Sequence, residues 1–348
     1  MFVLEDQIRK NINALKPYAS ARDEYSGEAD VFLDANENPF PNGMNRYPDP
    51  HQRSLRRVIA DLKGTKPEQI FTGNGSDEVI DLLIRVFCNP GKDNMIILPP
   101  TYGMYAVSAA VNEVEVREAQ LTPSFQPDVE ATLATSDENS RLLFICSPNN
   151  PSGNLMDRSA VIRLIEGFGG IVVVDEAYID FCPGASTINL LADYPNLFII
   201  QTLSKAWGMA GVRLGIGIGD PKLIRILDNI KPPYNISLLN ANVAIKRLNN
   251  PGKMHDQVQL LLNERGYLEC ELRKLKLTRV VYHSDTNFLL VKMNKANEIF
   301  RFLTGQKIVV RNRSNAILCE NCLRITVGTP DENRKLISAL RPIDNIDE

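Results

Sequence analysis

Between residues 70 and 220 the chain repeats one pattern: a short apolar run, a turn, a stretch with apolar residues at helical spacing, then another apolar run. The runs occupy 95–98, 142–146, 171–174 and 197–200, while Val79-Ile80-Asp81-Leu82-Leu83-Ile84 carries the helical spacing. A strand that is apolar at every position is buried on both faces, as in parallel sheets covered by helices. The expected fold is therefore α/β, with a large domain whose mostly parallel central sheet is sandwiched by helices. In such sheets ligands gather outside the carboxyl ends of the strands, which says where to search for chemistry.

The texture changes near residue 245. An amphipathic helix is expected over 256–276, with strands over 288–291, 308–310 and 323–327 and helices between and after them. This reads as a smaller α+β unit. The N-terminal segment is too short and polar to build its own core and is expected to pack with it. The expected partition is 36–244 for the large domain, and 1–35 with 245–348 for the small one.

Charge narrows the partners. The 348 residues carry 39 basic and 42 acidic side chains, a formal net charge of −3, with no block of one sign. Such a surface does not suit a phosphodiester backbone or an anionic lipid, so neither nucleic acid nor membrane is expected. Glu5, Asp6, Lys10, Lys16 and Arg22 interrupt the apolar stretches at the start, so no signal peptide or span is expected there and the protein is placed in the cytoplasm. Six cysteines in mostly apolar surroundings suit buried thiols in a reducing compartment. Cys319 and Cys322 form a CxxC, but His51, His255 and His283 supply no companion ligands at metal spacing. No metal is expected, and the pair reads as ordinary thiols before a strand.

Three strand ends carry residues of consequence. The run 171–174 delivers Asp175, followed by Glu176-Ala177-Tyr178; an acid ending a buried strand is either neutralised or meets a cation. The run 197–200 leads through Gln201-Thr202-Leu203-Ser204 to Lys205, with Arg213 eight residues later. Hydroxyls and a guanidinium around a lysine make a phosphomonoester pocket, and a phosphate beside an amine nucleophile implies a phosphorylated aldehyde. A second phosphate element is Gly73-Asn74-Gly75-Ser76-Asp77-Glu78, which opens the helix expected from Val79 to Cys88. There the glycines let backbone approach an anion and the first helical N–H groups favour negative charge. Asp77 is expected to cap that helix with its side chain. After the run 142–146 comes Ser147-Pro148-Asn149-Asn150-Pro151-Ser152-Gly153, ordinary turn chemistry that also brings the Asn150 amide to the same sheet edge.

Two other motifs are set aside. Gly215-Ile216-Gly217-Ile218-Gly219 lacks the last glycine spacing of a dinucleotide loop and reads better as a close-packed strand. No GxxxxGK[ST] occurs.

Asn-Pro-Ser-Gly, Asp-Glu-Ala-Tyr and Ser-Lys with arginine eight residues on resemble, in order and spacing, the fold-type I aminotransferases that use pyridoxal phosphate. The finer resemblance is to the histidinol-phosphate aminotransferase family. It rests on Leu33-Asp34-Ala35-Asn36-Glu37-Asn38-Pro39, Asn45-Arg46-Tyr47-Pro48, Pro99-Pro100-Thr101-Tyr102-Gly103-Met104-Tyr105 and Leu323-Arg324-Ile325-Thr326-Val327-Gly328, with Leu15-Lys16-Pro17-Tyr18 near the start. One departure is Trp207, two residues after the lysine, where phenylalanine is expected.

The resemblance implies roles. Lys205 would carry the cofactor as a Schiff base, Asp175 would pair with its pyridine nitrogen, and Asn150 and Tyr178 would hydrogen-bond its phenolic oxygen. Tyr102 would stack on the ring. Gly75, Ser76, Asp77, Thr202, Ser204 and Arg213 would cradle the phosphate, joined by Tyr47 from a neighbouring subunit, which implies a homodimer. Arg324, Arg311, Tyr18 and Asn36 would bind substrate, for which a planar guanidinium that grips either carboxylate or phosphate is suited. The reaction implied is amino transfer between histidinol phosphate and 2-oxoglutarate, with glutamate as the other amine, in histidine biosynthesis. Alternatives are a decarboxylase of a phosphorylated amino acid similar to threonine-phosphate decarboxylase, and an aromatic amino acid aminotransferase.

Overall fold

The computed structural model describes residues 2–16 and 30–344. Its large unit is built on seven strands: β1 Ile70–Asn74, β2 Asn94–Ile97, β3 Glu115–Glu118, β4 Ser140–Cys146, β5 Ile171–Asp175, β6 Leu197–Thr202 and β7 Leu214–Ile218. They lie in the order β1-β7-β6-β5-β4-β2-β3. From β6 to β3 every neighbour is parallel, and only β7 runs against β6 and β1.

Successive residues point to opposite faces of a strand, and both faces are buried. Val172 and Val174 join one core with Leu143, Ile145 and Ile199, whereas Ile171 and Val173 join the other with Phe144, Phe198 and Ile200. Helices Arg53–Lys63, Arg158–Gly167 and Leu238–Leu248 bring Leu55, Val161 and Ala244 to the first face. Helices Ser76–Phe87, Met104–Val111 and Pro221–Ile230 bring Val79, Tyr105 and Leu223 to the second. Asp175 ends β5 in step with Ile171 and Val173, so its side chain faces the layer that contains Tyr105.

The glycine-rich run at 215–219 is a close-packed strand, as expected. A Cβ on Gly215 would stand 2.3 Å from the backbone of Gly75 and Ser76, so only glycine lets β7 pass under that turn. Trp207 is buried, and its indole N–H donates to Asp180 at 3.0 Å, the carboxylate that also holds Lys63 at 2.9 Å. The larger ring is accommodated because its one polar atom has a partner.

The small sheet contains β8 Thr278–Val281, β9 Phe288–Met293, β10 Arg311–Asn312 and β11 Cys322–Thr326, in the order β10-β11-β9-β8, all antiparallel. Leu323 and Ile325 face a core shared with Leu268 of helix Gly252–Arg273, Leu303 of helix Ala296–Gly305 and Leu336 of helix Pro330–Leu340. The alternate residues of β11 face the other way, where Phe288, Leu290 and Cys322 join the core of the large unit. Arg324 lies on this inner side, turned to the junction of the two units.

Three expectations need correction. The strand placed at 308–310 forms instead at Arg311–Asn312, because the chain meets the edge of β11 only there; Val309 is 84% exposed. The helix placed from Val79 begins at Ser76. The start of the segment 1–35 does not pack with residues 245–348: Leu4 and Ile8 bury into the large-unit core, and the Arg9 N–H donates to the Val86 carbonyl at 3.0 Å. Apolar side chains on a segment too short to shelter them bury in whichever core is within reach, and here that is the helix Ser76–Phe87.

Candidate active site

A cavity of about 390 Å³ opens where the carboxyl ends of β4, β5 and β6 meet the inner face of the small sheet. Each strand end supplies one part of it.

β5 delivers Asp175, 3% exposed. Its Oδ2 accepts from the Tyr105 hydroxyl at 2.6 Å and its Oδ1 from the Ala177 N–H at 3.0 Å. Burial pushes its pKa up to about 6, against the pull of those two donors. Tyr178, three residues on, is buried and edge-on to Phe288 at 5.2 Å, and its phenol is raised by burial.

β6 ends in Thr202, and the turn after it exposes Lys205. Its Nζ lies 5.5 Å from the centre of the Tyr178 ring. Burial lowers its pKa, with Arg324 adding to the effect, so the amine sheds its proton more readily than a surface lysine. The Thr202 hydroxyl donates to Ser204 Oγ at 3.0 Å and accepts from the Ser204 N–H at 3.1 Å, which fixes both hydroxyls at one wall.

The opposite wall is the N-terminus of helix Ser76–Phe87. Gly75 precedes it with φ +79°, and its N–H donates to the Arg213 carbonyl at 3.0 Å. Arg213 is itself left-handed, φ 54°, a strained backbone of the kind found at ligand sites. A Cβ on Gly75 would stand 2.5 Å from Arg213 Nη2. Glycine thus lets the guanidinium close on the turn, so that it lines one cavity with Ser76 and Asp77 at the start of the helix and with Thr202 and Ser204. This is a cradle for a tetrahedral anion.

Asp77 does not cap its helix, contrary to expectation. Its carboxylate accepts from the Tyr102 hydroxyl at 3.1 Å and lies 3.5 Å from Arg213, so it orients the tyrosine and the guanidinium instead. Tyr102 stands edge-on to Tyr105, with ring centres 5.5 Å apart. After β4, Asn150 is 5% exposed and lines the cavity, and its Oδ1 accepts from Arg324 Nη1. Arg311 and Arg324 line the side formed by the small sheet.

Not every predicted residue meets here. Tyr47 and Asn36 line a separate surface groove, where Tyr47 stacks on Tyr234 at 4.4 Å. Tyr18 lies outside the described residues. Two contributors were not foreseen: Tyr105, whose contact with Asp175 spans 70 positions and has no local signature, and Arg313, which also lines the cavity. Cys319 and Cys322 are buried and free, away from the cavity lining.

The chain matches the family model "Aminotransferase class I and II" over residues 29–340. It is 50% identical to the histidinol-phosphate aminotransferase of Parabacteroides distasonis over 97% of this chain and 98% of that one. Among solved structures it is similar to the histidinol-phosphate aminotransferase of Clostridium acetobutylicum, with TM-score 0.80, 26% identity, and 87% and 92% of the two chains covered. The fold is also that of the enzyme of the same name from Sinorhizobium meliloti, solved with pyridoxal-5'-phosphate, with TM-score 0.80, 23% identity, and 87% and 84% coverage. An acid and an amine facing each other beside an anion cradle accord with these matches, and the chain belongs to the class I and II aminotransferases, within them to the histidinol-phosphate aminotransferase family.

Proposed function

We propose that the chain transfers the amino group between histidinol phosphate and 2-oxoglutarate with pyridoxal phosphate bound in the cavity between the two units. The observation that carries this reading is Lys205 facing Asp175 beside the cradle of Gly75, Thr202, Ser204 and Arg213. These residues fit the cofactor: with no Cβ at Gly75 the Arg213 guanidinium closes on the helix N-terminus, where it and the hydroxyls of Thr202 and Ser204 suit a phosphate, and among the described residues Lys205 Nζ has no hydrogen-bond partner.

Bound pyridoxal phosphate supplies an aldehyde that takes up an amino group and a ring that accepts the electrons left when Cα loses its proton. With the cofactor bound, Asp175 would hold a positive charge at its pyridine nitrogen, and Tyr105 and the Ala177 N–H keep the carboxylate aimed and favour its ionised form. Lys205 Nζ, with its lowered pKa, would hold the cofactor and, as a free amine, would take the proton from the substrate Cα. Asn150 and Tyr178, which line the cavity, would hydrogen-bond the cofactor's phenolic oxygen, and Tyr102 would cover the ring. Arg324 and Arg311 hold the anionic end of each substrate in turn.

Replacing Arg213 by alanine is expected to weaken cofactor affinity by roughly 10- to 100-fold, the equivalent of one lost charge-assisted contact. Equilibrium dialysis of the apoprotein against pyridoxal phosphate measures it.

The enzyme acts as a homodimer with Tyr47 reaching the partner's phosphate. In support, Tyr47 is half exposed and lines a groove of its own, which the exposed apolar side chains of Met44 and Leu239 also line. It works in the cytoplasm, in keeping with six free thiols. Among the described residues no helix is long and apolar enough to cross a membrane.

The half-reaction tests the function. Holoenzyme mixed with histidinol phosphate and no acceptor is expected to lose its yellow absorbance in one turnover as the pyridoxamine form appears. A protein that ignores histidinol phosphate but converts with an aromatic amino acid, or that releases carbon dioxide from a phosphorylated amino acid, overturns the substrate.

A further inference from the structure

Arg311 on β10 and Arg324 on β11 stand directly opposite each other in the antiparallel register. Like charges in that relation repel and weaken a sheet. Two residues past Arg311, the Arg313 N–H donates to the Cys322 carbonyl at 2.9 Å, so the ladder continues and the alternation of a strand returns Arg313 to the face of Arg311. All three guanidinium groups line the cavity. Among the described residues none of the three has a carboxylate partner, and Arg324 donates only to the neutral Asn150 amide. The Nε–H groups of Arg313 and Arg324 are buried without an acceptor.

Burial lowers the pKa of Arg313, and the nearby charges of Arg324 and Arg311 lower it further. A buried donor without an acceptor and a cluster of one sign both cost stability. The cavity's two acids do not relieve it, since Asp175 is held by Tyr105, and Asp77 by Tyr102 and Arg213. The cluster is therefore built for an anion that arrives from outside, separate from the one held by Gly75 and Arg213.

Charge count decides which anion. A carboxylate carries one negative charge and is satisfied by a single bidentate arginine. A phosphomonoester carries close to two, with three accepting oxygens. We infer that Arg313 is a substrate-binding residue that, with Arg311, grips the phosphate of the amino substrate, while Arg324 serves phosphate and carboxylate alike. Arg313 is thereby the residue that favours a phosphorylated amine over a dicarboxylate in a pocket that must admit both.

This inference rests on the proposed reaction, and its test separates the two. Holoenzymes of wild type, Arg313→Gln and Arg313→Lys are compared in single-turnover half-reactions with histidinol phosphate and with glutamate. Inorganic phosphate is titrated calorimetrically into each holoenzyme, where the cofactor already fills the other anion site. The expected result for Arg313→Gln is a loss of about tenfold or more in apparent affinity for histidinol phosphate and for inorganic phosphate, with a several-fold smaller loss for glutamate. Arg313→Lys, which keeps the charge without the planar fork, recovers part of the loss. Equal losses for both amines, or no loss of inorganic phosphate affinity, overturn the inference. Should wild type ignore histidinol phosphate while Arg313→Gln still loses inorganic phosphate, the substrate reading falls and the anion site stands.

Discussion

Lys205→Ala is expected to lower turnover by about 10⁴-fold or more, since it removes both the covalent anchor and the base that moves the Cα proton. Among the described residues no other lysine lines the cavity. The remaining cations there are guanidinium groups that stay protonated, and the phenols of Tyr102 and Tyr178 are raised by burial, so none offers a base near neutral pH. The lowered pKa of Lys205 gives the sign of the pH response. Its neutral, reactive form is populated at lower pH than that of a solvated lysine, so wild-type activity rises with pH through that depressed value and the alanine variant loses this limb. Borohydride reduction of holoenzyme followed by peptide mapping should label Lys205 alone. A small exogenous amine should restore part of the proton transfer in Lys205→Ala, while Tyr105, Asp175 and the cradle remain in place. A label on another lysine, or a variant with more than about a hundredth of wild-type turnover, would overturn the assignment.

Much of this geometry could be read before any coordinates. Runs such as 171–174 are apolar at every position because both faces of the sheet are covered, and a buried parallel strand has an end that can hold Asp175 or lead to Lys205. The periodicity is local, so the sequence carries it. What it did not carry depends on distance or on competition. Ile308, Val309 and Val310 have the composition of a strand, but pairing needs a neighbour, and β11 is met only at Arg311. Leu4 and Ile8 mark an apolar stripe without saying which core receives it. Tyr105 looks like any aromatic inside a helix; its role follows only from β5 and helix Met104–Val111 lying in adjacent layers. Asp77 has the position of a cap, yet its carboxylate is taken by Tyr102 and Arg213 and the helix has no side-chain cap. Arg313 read from sequence is a charged residue near a strand end, the commonest place for a solvated side chain, and only the fold turns it inward.

Asp175→Asn is expected to do two opposite things: lower turnover by about 10³-fold and make the apoprotein more stable near neutral pH. The reason is the environment that suits Asp175 to its task. Burial lifts its pKa from 3.8 to about 6, so the folded chain binds this proton more tightly than the unfolded chain does. Stability from this group is therefore fullest below about pH 4, falls as pH rises from about 4 to about 6, and is lost above, a change of about 3 kcal/mol. Asparagine needs no ionisation, and its oxygen can still accept from Tyr105, so the apoprotein variant should melt roughly 3–6 °C higher at pH 7.5 and match wild type near pH 4. Cofactor reverses the order, because a carboxylate facing a pyridinium recovers the cost of burial and an amide does not. Thermal melts of both proteins with and without pyridoxal phosphate at the two pH values test each part. If the apoprotein variant is the less stable at pH 7.5, the buried carboxylate is not under strain. If cofactor stabilises both proteins equally, the charge at residue 175 does not act on the ring.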